Sequence, residues 1–206
     1  MNTSSRQSPG PVGFSLIELL FVLLIMSFLS VSLYSFGSGR RQRSQKVLCQ
    51  DNLQKIYIAL QIYAKDAHGE LPRTTNAATS EAPLDLLVPR YSADTAIFIC
   101  PGGRDPARPA GASLLQGKIS YAYYQGRRLE DSPPAGWPLL SDRQVDTSAK
   151  VKGDPVFSPD GRSPGNNHHK YGGNFLMGDG SVSASDSTAP FDLPLPPGVV
   201  LLNPQS

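Results

Sequence analysis

Residues 13–36 read GFSLIELLFVLLIMSFLSVSLYSF and decide the N-terminal half of the fold. The apolar part, residues 14–36, holds about 23 residues with a single charge, that of Glu18. At a rise of about 1.5 Å per residue, a helix of this length can cross the hydrocarbon layer of a membrane. We therefore predict a transmembrane helix over residues 14–36.

An amphipathic helix is predicted next, over Ser44–Ala67. Its apolar side chains recur at spacings of four, three, four and three residues, and they form one stripe: Cys49, Leu53, Ile56, Leu60 and Tyr63. The dipeptide His68-Gly69 ends it. Joined to the apolar segment, it makes one helix of about 54 residues, in which Gly37 and Gly39 would be a weak point or locally unwound.

Residues 69–206 predict a small head with large loops. Most of the 19 glycines and 19 prolines of the chain lie here. A short helix is expected over Leu84–Val88, and the tail from Pro190 is expected to follow the surface. Asp179-Gly180 predicts a hairpin turn. The strand candidates are Ala96–Cys100, Ile119–Tyr124, Leu139–Leu140, Asn174–Met177 and Ser181–Ala184. The fold class is therefore α+β, with the long helix packed on a small antiparallel sheet.

Length and net charge limit the number of domains and the kinds of partner that the chain can have. The 206 residues suffice for one modest domain and an anchor. The formal net charge is +2, so no strong positive field indicates nucleic acid as a partner, and none is predicted.

The N-terminal stretch GFSLIELLFVLLIMSFL resembles the type III signal of type IV pilins and type II secretion pseudopilins. In that family a prepilin peptidase cuts after the glycine and methylates the new amino terminus. The resemblance implies cleavage between Gly13 and Phe14. It also implies that Glu18 is the acid five residues into the mature chain that directs assembly.

Glu18 supports this interpretation on physical grounds. A carboxylate inside a membrane segment costs roughly 2.5–3.5 kcal/mol, so it usually has a partner. No Lys, Arg or His occurs in residues 14–36, so the partner must come from elsewhere. The resemblance implies the terminal amine of Phe14 in a neighbouring subunit, which would fix the stagger between subunits. An acid that stays hydrated near the membrane surface is the alternative.

The distribution of basic residues departs from the family pattern. The leader, residues 1–13, contains only Arg6, whereas four basic residues follow the apolar segment: Arg40, Arg41, Arg43 and Lys46. The positive-inside rule alone would place the C-terminal side in the cytoplasm, which is opposite to prepilins. An ordinary signal peptide cut near Ser38-Gly39 stays open as an alternative.

The head carries a second resemblance, to a large group of bacterial pilin-like proteins. CQDNLQKIYIALQIYAKDAHGELP, residues 49–72, resembles the end of their long helix, and FICP, residues 98–101, matches a later motif. Their third motif is a His, nine residues, then Asp-Gly. His169 and Asp179-Gly180 have this spacing, and we expect His169 to hydrogen-bond and pin the hairpin.

The two cysteines predict a disulfide. Cys49 belongs to the apolar stripe and Cys100 ends a predicted strand, and export favours oxidation. The bridge would close a loop of about 50 residues and add a few kcal/mol. Two buried thiols are the alternative.

Only one group of residues in the head is a candidate for metal or catalytic chemistry: His168, His169, Asp142 and Asp179. The chain has no HExxH, paired CxxC, GxSxG or glycine-rich phosphate loop. We predict no catalytic residue, no metal ligand and no cofactor. Calcium bound by Asp142 or Asp179 stays open, although histidine is a poor calcium ligand.

The predicted organisation has four segments: a leader at 1–13, an assembly helix at 14–36, an amphipathic helix at 37–68, and a head at 69–206 ending in a proline-rich tail. We expect a structural filament subunit, not an enzyme. Its partners would be prepilin peptidase, related subunits and an inner-membrane assembly platform. It would cross the inner membrane once with its head outside the cytoplasm, and then join a periplasmic or surface filament. The alternatives are a membrane-anchored ligand- or calcium-binding protein that never polymerises, and a metal-dependent enzyme.

Overall fold

The computed structural model describes residues 15–129 and 137–205, with the side chains of residues 33–40 left aside. The fold is α+β. It contains helices α1 (Leu16–Asp66) and α2 (Glu81–Asp85), and the strands β1 (Tyr121–Gln125), β2 (Pro138–Asp142), β3 (Gly173–Met177), β4 (Val182–Ser185) and β5 (Val200–Leu202). The chain divides into an N-terminal unit, Met1–Arg40, and a C-terminal unit, Arg41–Ser206.

Helix α1 is 51 residues long, and its backbone stays helical through Gly37 and Gly39. The local unwinding expected at these glycines is therefore wrong. Glycine is only about 1 kcal/mol less favourable than alanine at a helix position, which is too little to interrupt a long helix. Among the described residues, no helix has both the length and the apolar character that a membrane crossing requires. The predicted leader, 1–13, and Phe14 lie outside the described residues.

The predicted apolar stripe of the second half of α1 is confirmed. Tyr63 is half-buried. The other four side chains of the stripe are fully buried: Cys49, Leu53, Ile56 and Leu60. They pack in one core with residues of the sheet, among them Tyr121, Leu140 and Leu176. Burying such side chains contributes about 1.5–3 kcal/mol each, so this face holds α1 against the sheet.

The sheet is antiparallel throughout, with the strand order β4-β3-β2-β1-β5. Four of its strands overlap predicted ones, and β3 and β4 form the predicted hairpin. The fifth, β5, comes from the proline-rich tail, where only a surface path was expected. Its short apolar run pairs with β1 through Tyr124 and Leu201.

The strand predicted over Ala96–Cys100 is wrong. This segment forms a 3₁₀ helix over Thr95–Phe98, and Cys100 lies in the loop beyond it. The Asp94 side chain accepts a hydrogen bond of 3.0 Å from the Ala96 N–H and so caps the turn. A short apolar run does not distinguish a strand from a buried turn by its periodicity. The short helix expected over Leu84–Val88 lies slightly earlier, as α2.

Candidate functional site

The predicted processing and assembly residues lie at or before the start of α1. Gly13 and Phe14 are outside the described residues. Glu18 is exposed in the first turn of α1, where a carboxylate also interacts favourably with the helix dipole. Around it, thirteen large apolar side chains between Leu16 and Val31 are 46–81% exposed.

The Asp179-Gly180 pair forms the turn between β3 and β4, as predicted. The Asp179 carboxylate accepts hydrogen bonds from the Ser181 N–H at 2.9 Å and the Ser181 hydroxyl at 2.7 Å. These bonds hold the pKa of Asp179 below its usual range. Gly180 has a φ of +85°, and Tyr57 donates from its hydroxyl to the Gly178 carbonyl at 3.2 Å. The turn therefore docks on α1.

The two neighbouring histidines have different surroundings. His169 has a φ of +56°, and its ring lies beside Gly161 and Tyr171. His168 is fully buried and meets Asp142, with 3.3 Å between its Nε2 and Oδ2. Only part of the candidate group predicted from the sequence therefore comes together in the structure. His168 and Asp142 come together, whereas His169 and Asp179 are not among the residues that surround them.

Two cysteines complete this arrangement, which we call the buried cluster: Cys49, Cys100, Asp142 and His168. One ligating atom from each side chain lies within 4.8 Å of all the others. Cys100 Sγ is 3.4 Å from His168 Nε2, and Cys49 Sγ donates to Asp142 Oδ1 at 3.4 Å. The four residues come from α1, the loop after the 3₁₀ helix, the end of β2 and the loop before β3.

A second layer of donors surrounds the buried cluster. Asn167 Nδ2 donates to Asp142 Oδ1 at 2.9 Å. Asn174 donates to Asp142 Oδ2 twice, from its backbone N–H at 2.8 Å and from its side-chain amide at 3.0 Å. The Tyr121 hydroxyl is 3.0 Å from Cys49 Sγ, and the Gly102 N–H is 3.3 Å from Cys100 Sγ. Every oxygen and sulfur of the cluster is thus oriented by a neighbour.

Electrostatics favour charge separation between Asp142 and His168. Burial raises the pKa of Asp142, but charged His168 and the surrounding hydrogen bonds outweigh it and hold the pKa below the usual range. Burial lowers the pKa of His168, but the negative charge of Asp142 outweighs it and raises the pKa to about 10. Burial also raises the pKa of the Cys49 thiol well above its usual value. Without a ligand, the cluster therefore contains a buried ion pair.

The cysteines are free thiols in the structure, and both are buried. The sulfur atoms nevertheless lie within 4.8 Å of each other. The disulfide predicted between Cys49 and Cys100 is not formed in this structure. The sequence patterns that pair the two cysteines do not connect them to His168 or Asp142. The three head motifs were the available indication that these residues meet. The first two motifs contribute Cys49 and Cys100, and the third begins at His169, next to His168.

A cavity of about 240 Å³ lies beside the buried cluster. Gly102 and Asn167 line it, and both contact cluster residues. Gly102 leaves room for the imidazole, because a Cβ there would lie 2.5 Å from His168 Nδ1. Arg104, Asp105 and Arg143 are among the polar residues of the wall.

Thiols, an imidazole and a carboxylate are groups that bind transition metals. The same groups can also form a purely structural hydrogen-bond network in a small core. Comparison of the chain with protein family models, with curated proteins and with solved structures finds no match.

Proposed function

We propose that this protein is a structural subunit of a type IV pilus-like or type II secretion pseudopilus filament. The observation that carries the proposal is the division of α1 into two chemically different parts. Leu16 to Val31 expose a row of large apolar side chains, whereas the stripe from Cys49 to Leu60 is buried against an antiparallel sheet. One part is suited to assembly and the other builds the head.

The exposed apolar part needs a cover. A contiguous apolar surface of this extent is unfavourable in water and marks an interaction surface. In the proposal, residues 14–36 cross the inner membrane once, with the head outside the cytoplasm, until an assembly platform extracts the subunit. Related subunits then cover the same surface in a periplasmic or surface filament.

Glu18 sets the stagger between subunits in this proposal. Prepilin peptidase cuts between Gly13 and Phe14 and releases an amine that pairs with Glu18 of an adjacent copy. An unpaired acid in the apolar interior costs roughly 2.5–3.5 kcal/mol. Only the register that pairs the two charges avoids this cost.

Mass spectrometry of the mature N-terminus tests processing. We expect the native chain to begin with N-methylated Phe14. An intact Met1, or a first residue near position 40, would refute the proposal.

Glu18→Gln tests assembly, because it removes the charge and keeps the size of the side chain. We expect normal membrane insertion and at least about a tenfold loss of incorporation into sheared filaments. Ser27→Ala is the matched control, since Ser27 lies on the same exposed segment and only bonds back to the Leu24 carbonyl. Equal incorporation of both variants would favour the membrane-anchored binding protein, which has no need of a stagger.

A further inference from the structure

We propose that the buried cluster binds one zinc ion through its four side chains in a tetrahedral site. The proposal concerns the C-terminal unit and is independent of filament assembly. It assigns the cluster a ligand that stabilises the packing of α1 on the sheet and loops.

The spacing of the ligating atoms fits such a site. Zinc–ligand bonds of about 2.0–2.3 Å at tetrahedral angles place neighbouring ligand atoms about 3.3–3.8 Å apart. Three pairs of ligand atoms already have this spacing: Cys100 Sγ to His168 Nε2 at 3.4 Å, His168 Nε2 to Asp142 Oδ2 at 3.3 Å, and Cys49 Sγ to Asp142 Oδ1 at 3.4 Å. The last two pairs use different oxygens of Asp142, so a site with one carboxylate oxygen as ligand has two of its edges at this spacing. One ligand atom from each of the four side chains lies within 4.8 Å of the others, so the side chains would close in around a zinc ion.

The donor set selects the metal. Two thiolates with an imidazole and a carboxylate, arranged tetrahedrally, match zinc, whereas calcium and magnesium require six or more oxygen ligands or an octahedral set. Four protein ligands fill the coordination shell and leave no position for a reactive water. The site is therefore structural rather than catalytic.

The second layer of donors matches a zinc site at the sulfurs and at the carboxylate, whereas His168 Nδ1 has no hydrogen-bond partner among the described residues. Ligands are held in place by outer hydrogen bonds that fix their orientation and spread their charge. The Tyr121 hydroxyl lies 3.0 Å from Cys49 Sγ, and the Gly102 N–H donates to Cys100 Sγ at 3.3 Å. Asn167 and Asn174 donate to the carboxylate of Asp142. Donors to both sulfurs would stabilise thiolates, which are the ligand form.

The charges of the ligand form are largely balanced once zinc is bound. Two thiolates and one carboxylate carry three negative charges, and Zn²⁺ reduces the total to one. Lys46 lies close enough for its charge to interact with that of Asp142, and it donates to the carbonyls of Tyr171 and Ser185 at 2.9 and 2.7 Å. Metal binding at such a site is coupled to proton release, because thiolate and neutral imidazole are the ligand forms.

The cavity provides a route for the metal. Gly102 separates it from the His168 ring by backbone alone, and Asn167 lies on the cavity wall and on the cluster. A zinc ion bound here would connect four separate parts of the fold: α1, the loop after the 3₁₀ helix, β2 and the loop before β3.

The test uses the full chain, solubilised in detergent and purified without chelator or reductant. We expect about one zinc per chain by elemental analysis, with Cys49 and Cys100 alkylated only after a chelator removes the metal. Cobalt alone, added to the chelator-treated chain, should give the thiolate-to-cobalt charge-transfer absorption of a tetrahedral site. Zinc alone should raise its Tm.

Variants locate the site. Cys100→Ser and His168→Gln should each lose most of the bound zinc, and His169→Gln should keep it, because that neighbouring ring lies outside the cluster. The cobalt spectrum of the unmodified chain decides the outcome if these variants do not fold. A Cys49–Cys100 disulfide without metal in the purified chain, or reduced thiols that give no cobalt band and no zinc-dependent rise in Tm, would overturn the proposal.

Discussion

Asp142→Asn removes the negative charge of the buried ion pair and nearly preserves the volume of the side chain. Asp142 is fully buried, and it accepts three hydrogen bonds from Asn167 and Asn174 in addition to its contact with His168. An amide in its place must direct an NH₂ group at one set of these donors. It also leaves the His168 charge without a partner.

Breaking one side of a buried ion pair costs about 3–5 kcal/mol. The C-terminal unit has about 165 residues, a size at which each kcal/mol lowers Tm by about 2–4 °C. We therefore expect Asp142→Asn to lower the Tm of the chelator-treated chain by roughly 6–20 °C.

Differential scanning calorimetry of the chain in detergent measures this shift. Asp51→Asn is the matched control, because Asp51 is exposed on α1 and such a change is worth about 0.5 kcal/mol or less. If Asp142→Asn and Asp51→Asn lower Tm equally, the buried ion pair does not hold β2 and the loop before β3 together, and the electrostatic argument fails.

Two further predictions concern the turn and a surface ion pair. Gly180→Ala should destabilise by about 1 kcal/mol or more beyond Gly153→Ala. Both glycines have positive φ, but only at Gly180 would a Cβ lie within 2.9 Å of Tyr57 ring atoms. Urea midpoints compare the variants, and equal losses would show that Tyr57 does not restrict the turn. The Asp146 carboxylate accepts a hydrogen bond from Lys150 at 2.6 Å. Burial raises the pKa of Asp146, but the bonds from Lys150 and Ser148 outweigh this and hold the pKa below its usual range. A carboxyl group whose pKa is lowered by folding stabilises the folded state above its unfolded pKa, and this stabilisation is lost as pH falls through the folded pKa. The difference in unfolding free energy between the native chain and Asp146→Asn should therefore disappear in acid. A difference that stays constant with pH would contradict this.

The long helix and its two faces could be predicted from residue order alone. The apolar stripe from Cys49 to Leu60 depends only on a 3.6-residue period, and the Asp179-Gly180 turn depends on the backbone freedom of glycine. Both are local properties, and both appear in the structure. Strand β5 and the 3₁₀ helix at Thr95–Phe98 were missed because short apolar runs carry no distinct period.

The period of the apolar stripe predicts that Cys49 faces the core, and Cys100 and His169 lie within the resembling motifs. Tertiary packing turns His168 inward instead of His169, and it brings Asp142 at the end of β2 against His168. Four residues spread from position 49 to position 168 meet because α1, two loops and one strand converge on one point. The spacing of these residues along the chain does not predict that they meet, because their contact depends on long-range packing and not on a local periodicity.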